Sequence, residues 1–492
     1  MKKIIFWIDS NFLNFFVANQ IKEKSEHEIH AIFEITDNPK KFFKQQKMVD
    51  FKTCWYYHEN IKNLKSDVDY EFLENKEKEY GINFMKLMLN DRILYNFNEF
   101  YNFSSNEVFK ILELEIKFFE KIIDEVKPDY LIMDAAFLRP GYLFSLICER
   151  KKIKNLMVVP TRVYNKCMIT DHWNNLPLKK NTDSIKKEIK EKKSVDENSY
   201  SKQLSNLEKN FLNSKINMIK AILKFLFSNN SNSISHYTYY GRTKIKVIQK
   251  YFFDLIRVKI RKRFIDKKFS FDENIDSKFI YLPLHLEQEH STLIMAPFYT
   301  DQLNFISNVQ KSIPVGYKLV IKEHPAMFTR SWHSIEFYKK ILNMPNVIMI
   351  HPSVNSSNLL KKCDLVVTIG GSVSFEAGYF DKSAITFVET AWSFLPHIYL
   401  VKNIEKLSET IDVAIKTKHD NNQFLSYVTY LQENSFNFNP YEISQQLQNV
   451  FHYGGYYVDV KLYEDELEQF ETENNNAISL LTNEYLSKIN ED

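Results

Sequence analysis

The sequence predicts an α/β protein with two doubly wound domains, each a parallel sheet covered by helices on both faces. Three observations lead to this prediction. Short apolar runs alternate with helix-like segments in both halves of the chain, which is typical of parallel, helix-covered sheets. The length of 492 residues suits two domains. The hydrophobic share of 44% supplies enough apolar side chains for two cores.

The first domain is expected over residues 1–173. Its strand-like runs are KIIFWI (3–8), AIFEI (31–35), CWYYH (54–58), YLIM (130–133) and NLMVVPT (155–161). A helix is predicted over 107–126, where apolar residues recur at spacings of three and four. Asp134 follows the fourth run directly, at what would be the carboxyl end of a buried strand.

Two membrane-related features are not expected. The first apolar run is broken at Asp9 and Asn11 and has no small-residue cleavage site after it, so it predicts a buried strand rather than a signal peptide. No stretch approaches the 18 or so uninterrupted apolar residues of a membrane-spanning helix.

A polar and basic segment, residues 174–277, is predicted as an insertion between the domains. Residues 174–236 are rich in Lys, Asn, Ser and Glu. Residues 242–268 carry eleven basic and two acidic residues, interleaved with apolar ones at roughly helical spacing. Either the apolar stripe of this helix packs on the body of the protein, or its basic face contacts an anionic membrane surface.

The second domain is expected over residues 278–412, followed by a helical tail over 413–492 that is predicted to pack back on the first domain. Its strand-like runs are KFIYLPLHL (278–286), KLVIK (318–322), NVIMI (346–350), DLVVTI (364–369) and SAITFV (383–388). Two such domains facing each other leave a cleft at the carboxyl ends of their strands, where ligands bind in this architecture.

Composition excludes several classes of protein. A formal net charge of +3 argues against a general nucleic-acid binder. The four cysteines are far apart and form no Cys-x-x-Cys pair, which argues against a disulfide framework or a structural zinc site and favours a reducing, cytoplasmic location.

The run IGGSVSFE predicts an anion-binding turn. Gly370 and Gly371 allow an unusual backbone path and close approach of a ligand, and Ser372 is a good helix N-cap. Free backbone N–H groups at such a helix start attract anions. Ser372 and Ser374 add hydroxyl donors, and Glu376 is placed to accept from a ribose or sugar hydroxyl. An ordinary strand-to-helix turn is the alternative.

The run VIKEHPAM ends another strand at the same predicted sheet edge. Lys322 supplies a fixed positive charge, His324 can donate to a phosphate oxygen, and Pro325 fixes the loop. Because carboxyl ends of parallel strands open on one edge, His324 and Ser372 are predicted to converge on a nucleotide phosphate.

A third cluster follows the strand-like run 278–286 and includes His285 and Glu289, which we also expect on the nucleotide side of the cleft. The spacing is not that of a His-Glu-x-x-His metal motif, so no metal site is predicted.

The order and spacing of these runs resemble the capsule polysaccharide biosynthesis proteins, a family related to bacterial transferases of Kdo and sialic-acid-type sugars from CMP-sugars. The runs that carry the resemblance are LPLHLEQEHST, FYTDQLNFI, IPVGYKLVIKEHP and NVIMIHPSVNSSNLLKKCDLVVTIGGSVSFEAGYFDKSAITF, with MDAAFLRPG in the first half. The resemblance implies a GT-B fold and no metal or cofactor in the chemistry. It also implies that His324, Pro325, Ser372 and Ser374 bind the donor phosphate and that Asp134 is the base.

These observations predict a cytoplasmic glycosyltransferase that takes a nucleotide-sugar donor and a glycan or lipid-linked acceptor, with no nucleic-acid partner. Arg139 and Arg162 are candidates for binding a carboxylate of the donor or acceptor, although Arg139 equally suits an ion pair with Asp134. A UDP-sugar epimerase, a glycerophosphotransferase and a non-catalytic assembly protein of the same architecture are the alternatives.

Overall fold

The structure is a computed structural model that describes residues 1–95, 98–135, 138–176 and 215–491. The described strands form one seven-stranded and one six-stranded sheet, and helices cover both. This confirms the predicted fold class, two Rossmann-like domains in a GT-B-like arrangement around a cleft. Residues 177–214 of the predicted insertion lie outside the described part of the chain.

The first sheet has five parallel strands in the order β3-β2-β1-β4-β5, extended at one edge by the antiparallel strands β6 and β13. Its strands are β1 (Lys3–Ile8), β2 (Glu28–Phe33), β3 (Thr53–Tyr56), β4 (Tyr130–Ile132), β5 (Lys154–Pro160), β6 (Lys166–Thr170) and β13 (Phe436–Asn437). The strands β6 and β13 were not predicted from the sequence, because both are short and lack a sustained apolar run.

The second sheet is fully parallel, in the order β9-β8-β7-β10-β11-β12. Its strands are β7 (Phe279–Pro283), β8 (Lys318–Lys322), β9 (Val347–Ile350), β10 (Leu365–Val367), β11 (Ser383–Thr386) and β12 (Ile398–Leu400). In both sheets the chain starts in the middle, winds to one edge, and then returns to wind the other way, as in nucleotide-binding folds.

The helices of the first domain and of the segment after it are Leu13–Lys24, Asp37–Phe43, Tyr57–Asn60, Tyr70–Tyr80, Phe84–Leu89, Ser105–Val126, Arg139–Arg150, Lys215–Phe227, Asn232–Ser235 and Lys244–Lys268. Those of the second domain and the tail are Gln302–Ser312, Ile335–Leu342, Ser356–Lys362, Val373–Glu376, Leu407–Lys416, Asn422–Glu433, Pro440–Phe451, Glu464–Glu473 and Asn475–Asn490. A short π-helix, Ser291–Met295, lies at the cleft.

The longest helix of the first domain shows how the sequence sets its limits. Ser104 and Glu107 form a reciprocal capping box at its start. At its end Lys127 takes a left-handed conformation, and Pro128 cannot continue the helix. The apolar side of this helix is buried against the first sheet. This packing positions the end of the helix, and with it the start of β4.

The tail contacts both domains. The helix Asn422–Glu433 packs on the second domain, where the rings of Phe424 and Phe375 lie 5.2 Å apart. The chain then crosses over, because β13 pairs with β6. The last three helices bury apolar side chains against the first sheet.

The segment between the domains is also shared rather than a separate unit. Tyr237 is buried in the core of the first domain, whereas Ile265 and Phe269 are buried in the core of the second. The two ends of the segment 232–269 are therefore fixed to different domains.

The helix Lys244–Lys268 does not bury its apolar stripe, which corrects the packing alternative for most of its length. Ile265 is its one fully buried residue. Ile245, Phe252 and Phe253 are 70%, 59% and 56% exposed. Within the described residues, no helix is long and apolar enough to cross a membrane.

Candidate active site

The strand order of each sheet reverses at one point, and these two points open on a shared cleft. The order reverses between β1 and β4 in the first sheet and between β7 and β10 in the second. Ligands bind outside the carboxyl ends of strands at such a point. Glu289 of the second domain lines a cavity of about 230 Å³ together with Asp9 and Asp134 of the first.

On the second-domain side, His285 follows β7 and Thr368 follows β10. Nε2 of His285 lies 3.0 Å from Oγ1 of Thr368, and the backbone N–H of Gly371 donates to the same oxygen at 3.2 Å. Burial lowers the pKa of His285 to about 4, so its ring is neutral at physiological pH. The structure thus brings the predicted residues His285 and Gly371 together.

The two glycines are required by close approach, and not by the unusual backbone path that the sequence also predicted. A Cβ atom at Gly371 would lie 2.9 Å from Oγ1 of Thr368, and one at Gly370 would lie 2.6 Å from Cγ2 of Val388. Neither glycine has a φ in the left-handed region. A side chain at Gly371 would also press on Cε1 of His285, at 3.2 Å.

His324 is held in one orientation at the end of β8. The buried carboxyl of Glu323 accepts from the backbone N–H of His324 and from the hydroxyl of Tyr338, both at 2.7 Å. Pro325 begins a 3₁₀ turn, and the N–H of Ala326 donates to Nδ1 of His324 at 3.2 Å. The proton of the neutral ring is therefore on Nε2, which has no hydrogen-bond partner among the described residues.

Lys322 places a positive charge beneath this histidine. It is 5% exposed, and its ammonium donates to Oγ of Ser356 at 2.9 Å. Burial, together with the nearby His285 and Lys322, lowers the pKa of His324 to about 4. His324 consequently offers a neutral N–H donor, which suits phosphate recognition better than proton transfer near neutrality.

The serine residues of the glycine turn differ from their predicted roles. Ser374 is fully buried: its hydroxyl donates to the carbonyl of Gly371 at 2.8 Å and accepts from Nε1 of Trp392 at 2.9 Å. It is therefore not available to a phosphate. Ser372 has helical backbone angles and caps nothing; its hydroxyl instead donates to Glu376 at 2.9 Å. The regular α-helix that follows is one turn long, so the expected dipole is weak.

On the first-domain side, two carboxyl groups lie next to each other. Asp9 follows β1, and Asp134 follows β4 with one residue between. Nδ2 of Asn11 donates to Asp134 at 3.4 Å, and the backbone N–H of Asn11 donates to Asp9 at 2.8 Å. Burial, and then the neighbouring charge of Asp9, raise the pKa of Asp134 to about 7. Burial likewise raises the pKa of Asp9.

A third carboxyl, which was not predicted from the sequence, adjoins this pair. Glu34 follows β2 and accepts from Nε1 of Trp7 at 3.2 Å. Burial, and then the charge of Asp9, raise its pKa to about 8. Glu34 lines the cavity of Asp134 and also a neighbouring cavity of about 260 Å³. Both Asp9 and Glu34 follow apolar strands, as Asp134 does, and that common position is the signal that was available.

Arg139 has a structural role, which corrects its prediction as a carboxylate-binding residue. Its Nε donates to Asp91 at 2.5 Å, its Nη1 pairs with Glu115, and its Nη2 donates to the hydroxyl of Tyr237 at 2.8 Å. The side chain is 1% exposed. All three nitrogens therefore have partners, and none of these partners is Asp134.

Arg162 and Glu289 lie at the cleft, in settings that the sequence did not specify. Arg162 is exposed, and its charge lowers the pKa of Glu376 against the dominant effect of burial, which raises it. Glu289 pairs with Arg330, at the end of the turn that follows His324, and also lines the cavity of Asp134.

The arrangement provides neutral N–H donors and a lysine on one wall of the cleft and carboxyl groups of raised pKa on the other. The first wall suits a phosphate group and the second suits proton removal from a hydroxyl. Among the described residues, no group of three or more His, Cys, Asp or Glu side chains is arranged to hold a metal ion.

The fold defines a two-domain Rossmann-like protein of the GT-B class, with a cavity lined by residues of both domains. The chain belongs to the capsule polysaccharide biosynthesis protein family, whose sequence profile matches residues 120–395, more than half of the chain. This confirms the family resemblance predicted from the motifs. No curated protein sequence gives a significant match.

Three solved structures illustrate the distant structural likenesses of the chain. UDP-GlcNAc 2-epimerase from Methanocaldococcus jannaschii, in complex with UDP-GlcNAc and UDP, is 13% identical, with coverage of 88% of this chain and 99% of that one and a TM-score of 0.28. Two KpsC structures from Thermosulfurimonas dismutans are also similar. The beta Kdo 2,4 transferase shows 10% identity, 65% and 87% coverage and a TM-score of 0.31. The beta Kdo 2,7 transferase shows 14% identity, coverage of 66% of this chain and 80% of that one, and a TM-score of 0.30. Similarity at this level supports no conclusion about the reaction of this chain.

Proposed function

We propose that this protein is a glycosyltransferase that transfers a sugar from a nucleotide-sugar donor to a surface polysaccharide or glycan acceptor. One observation carries the proposal. The carboxyl pair Asp9 and Asp134, at the reversal point of one sheet, shares a cavity with Glu289, which lies in the same loop as His285 at the reversal point of the other sheet. Membership of the capsule polysaccharide biosynthesis family supports the polysaccharide context.

In this proposal the second domain binds the donor phosphate. The Nε2–H of His324 donates to a phosphate oxygen, and Lys322 balances the charge that develops on the departing nucleotide. The chemistry proposed here uses neither a metal nor a cofactor, and the nucleotide-sugar is a substrate.

The first domain then supplies the base. Asp134 removes the proton of the acceptor hydroxyl as that oxygen attacks the sugar, a role that contributes about 10²–10⁴-fold in rate. A raised pKa makes the carboxylate a stronger base than an ordinary aspartate, while Asn11 holds it in place. A CMP-linked ulosonic acid such as Kdo is the donor class that we favour.

Nucleotide binding provides the first test, since a ligand that binds the folded state raises the unfolding temperature. CMP, CDP, UDP and GDP are compared by thermal shift, and we expect one cytidine nucleotide to stabilise the protein. His324→Ala should weaken its binding about tenfold to a hundredfold, because a hydrogen bond to a charged group contributes about 1.5–3 kcal/mol.

The matched control for this test is His27→Ala. His27 directly precedes β2, at the edge of the sheet opposite the cleft, and should leave nucleotide binding unchanged. Stabilisation by no nucleotide, or equal affinity of the parent and His324→Ala, contradicts the assignment of the donor site.

The epimerase alternative differs in needing no acceptor. An epimerase would convert a UDP-sugar to its 2-epimer in the absence of any glycan, and a glycerophosphotransferase would use a CDP-linked donor. Incubation of the purified protein with each nucleotide-sugar, with and without glycan acceptors, separates these reactions from transfer. Binding without any turnover would favour the non-catalytic alternative.

We also propose that the protein works at the cytoplasmic face of a membrane and contacts it through the helix Lys244–Lys268. Lys244 donates to the carbonyls of Leu226 and Ser228, both at 2.6 Å, which ties this helix to the end of the helix Lys215–Phe227. The helix Lys215–Phe227 also exposes large apolar side chains, and Phe227 is 87% exposed. Exposed apolar groups next to excess positive charge match an anionic lipid surface.

Removing positive charge from this surface tests the contact. Lys246, Lys259 and Arg263 are exposed and have no ion pair among the described residues. Replacing all three by glutamine should weaken binding to anionic vesicles about fivefold per charge, and the difference should shrink at high salt. Arg261 is left unchanged in this variant, because its guanidinium donates to the carbonyls of Ser331 and Trp332 and its loss would also disturb the structure.

The control removes the same charge from the second domain, through glutamine at Lys402, Lys406 and Lys416. Co-sedimentation of all three proteins with phosphatidylglycerol and phosphatidylcholine vesicles gives the comparison. Indistinguishable binding of the parent and the helix variant would show that the exposed helix serves another purpose.

A further inference from the structure

The larger cavity, of about 260 Å³, has two arginines in its wall that the proposed reaction does not use. Arg92 lies shortly after the helix Phe84–Leu89, and Arg242 is separated from the start of the helix Lys244–Lys268 by Thr243. Within the described part of the chain, neither guanidinium makes a hydrogen bond or an ion pair with a carboxylate. This is unusual for partly buried cations, which are normally paired.

The backbone around Arg242 fixes its position. Gly241 has a φ of +73°, and a Cβ atom there would lie 2.2 Å from the carbonyl oxygen of Phe100, so glycine is required at this turn. The guanidinium of Arg242 then lies over the rings of Phe100 and Tyr239, at 5.0 and 5.5 Å from their centroids. The side chain is held at the cavity wall rather than extended into solvent.

The two arginines are close enough to repel each other. Burial, and also the positive charge of Arg92, lower the pKa of Arg242. A third arginine in the same wall, Arg139, is neutralised by Asp91 and Glu115. The charge of Arg92 lowers the pKa of Glu34 slightly, but the two side chains form no ion pair and the pKa of Glu34 remains raised. Among the described residues, Arg92 and Arg242 are therefore not neutralised by a direct ion pair.

We propose that Arg92 and Arg242 bind an oxyanion of the acceptor, a carboxylate or a phosphate group. Planar guanidinium groups match both anions, with two parallel hydrogen bonds each. Arg92 also lines the smaller cavity that contains Asp134. An acceptor anchored by its anion between the two arginines therefore extends its hydroxyl towards the carboxyl pair. This inference rests on the proposed transferase function and specifies an acidic acceptor, such as a sugar acid or a phosphorylated glycan.

Anion titration tests this site separately from the donor site. The parent for the titration is His324→Ala, in which anion binding at the donor wall is weakened. Glucuronate and sn-glycerol 3-phosphate are titrated by calorimetry, with the methyl ester of glucuronic acid and glycerol as uncharged counterparts. We expect at least one anion to bind and neither uncharged compound to do so; the anion that binds identifies carboxylate or phosphate as the recognised group.

Adding Arg92→Gln or Arg242→Gln should weaken that binding about tenfold each, as expected for the loss of a charge-assisted hydrogen bond. Arg257→Gln, on the exposed face of the helix Lys244–Lys268, should leave it unchanged. Without a ligand, Arg92→Gln should not lower the unfolding temperature, because it removes a repulsive charge; a purely structural arginine would lower it.

Two results would overturn the proposal: binding of neither anion, or equal affinity in the parent and in the protein lacking both arginines. Failure of the transferase proposal is visible elsewhere, in the nucleotide thermal shift, which the arginine variants should leave intact. The two failures are therefore distinguishable.

Discussion

Asp134→Asn should reduce sugar transfer by about 10²–10⁴-fold while leaving nucleotide binding unchanged. The amide has the shape of the carboxyl group and can still accept the hydrogen bond from Asn11, but it cannot take a proton from the acceptor. Transfer is measured with the donor that the nucleotide panel identifies, and nucleotide affinity is measured on the same preparation.

Asp124→Asn is the matched control, because Asp124 is an exposed acid of the preceding helix. It should be indistinguishable from the parent. Full transfer by Asp134→Asn would contradict its role as base, and loss of transfer only in Asp9→Asn would assign that role to the other member of the pair.

The pH dependence of transfer is a separate expected result. A base works in its deprotonated form, so activity should fall as the pH drops through the pKa of about 7 of Asp134. Asp9→Asn removes the negative charge that helps to raise this pKa, although burial remains the larger cause. The acidic limb of the pH–rate profile should therefore move to lower pH in Asp9→Asn. An unchanged limb would show that the two carboxyl groups do not interact.

The sequence was sufficient to predict which strand ends meet. Alternating strands and helices imply parallel sheets, and parallel sheets bring their carboxyl ends to one edge. His285, His324 and Gly371 could therefore be grouped although they are separated by up to 86 positions in the sequence. Asp134 was identifiable for the same reason, because it follows a buried strand.

Side-chain partners could not be predicted in this way. Ser374 was expected to donate to a phosphate, but its hydroxyl donates to the carbonyl of Gly371 and accepts from Trp392, 18 positions later. Glu34 was not predicted, because its raised pKa results from burial and from the charge of Asp9, which only the folded arrangement brings about. Arg92 and Arg242 lie 150 positions apart, and no local pattern connects them.

Arg139 shows most clearly that the hydrogen-bond partners of a side chain, and not the motif around it, determine whether its role is structural or functional. The motif around it predicted a substrate contact, whereas its partners lie 48, 24 and 98 positions away in the sequence. Tyr57 completes the cluster: its hydroxyl pairs with Glu115 and lies 2.8 Å from that of Tyr237. The cluster joins the long helix Ser105–Val126 to the chain segment that leads into the second domain.

Arg139→Met should therefore destabilise the first domain strongly, by about 3–5 kcal/mol, because it leaves buried carboxylates without their cation. Chemical denaturation of the variant and the parent gives the difference. Arg150→Met, at the end of the same helix and partly exposed at the surface, is the control and should have a small effect. Comparable stability of Arg139→Met and the parent would show that the cluster does not hold the domain together.

The pH dependence of this loss tests its electrostatic cause. Without Arg139, burial raises the pKa of Glu115 in the folded state above its value in the unfolded chain. The folded state then binds the proton more tightly, so the stability of the variant, relative to the parent, should fall as the pH rises above the ordinary pKa of a glutamate. Adding Glu115→Gln removes one of the unpaired carboxylates and should restore part of the stability, most of it at the higher pH. A deficit that is independent of pH, and that Glu115→Gln does not relieve, would instead identify lost packing of the arginine side chain as the cause.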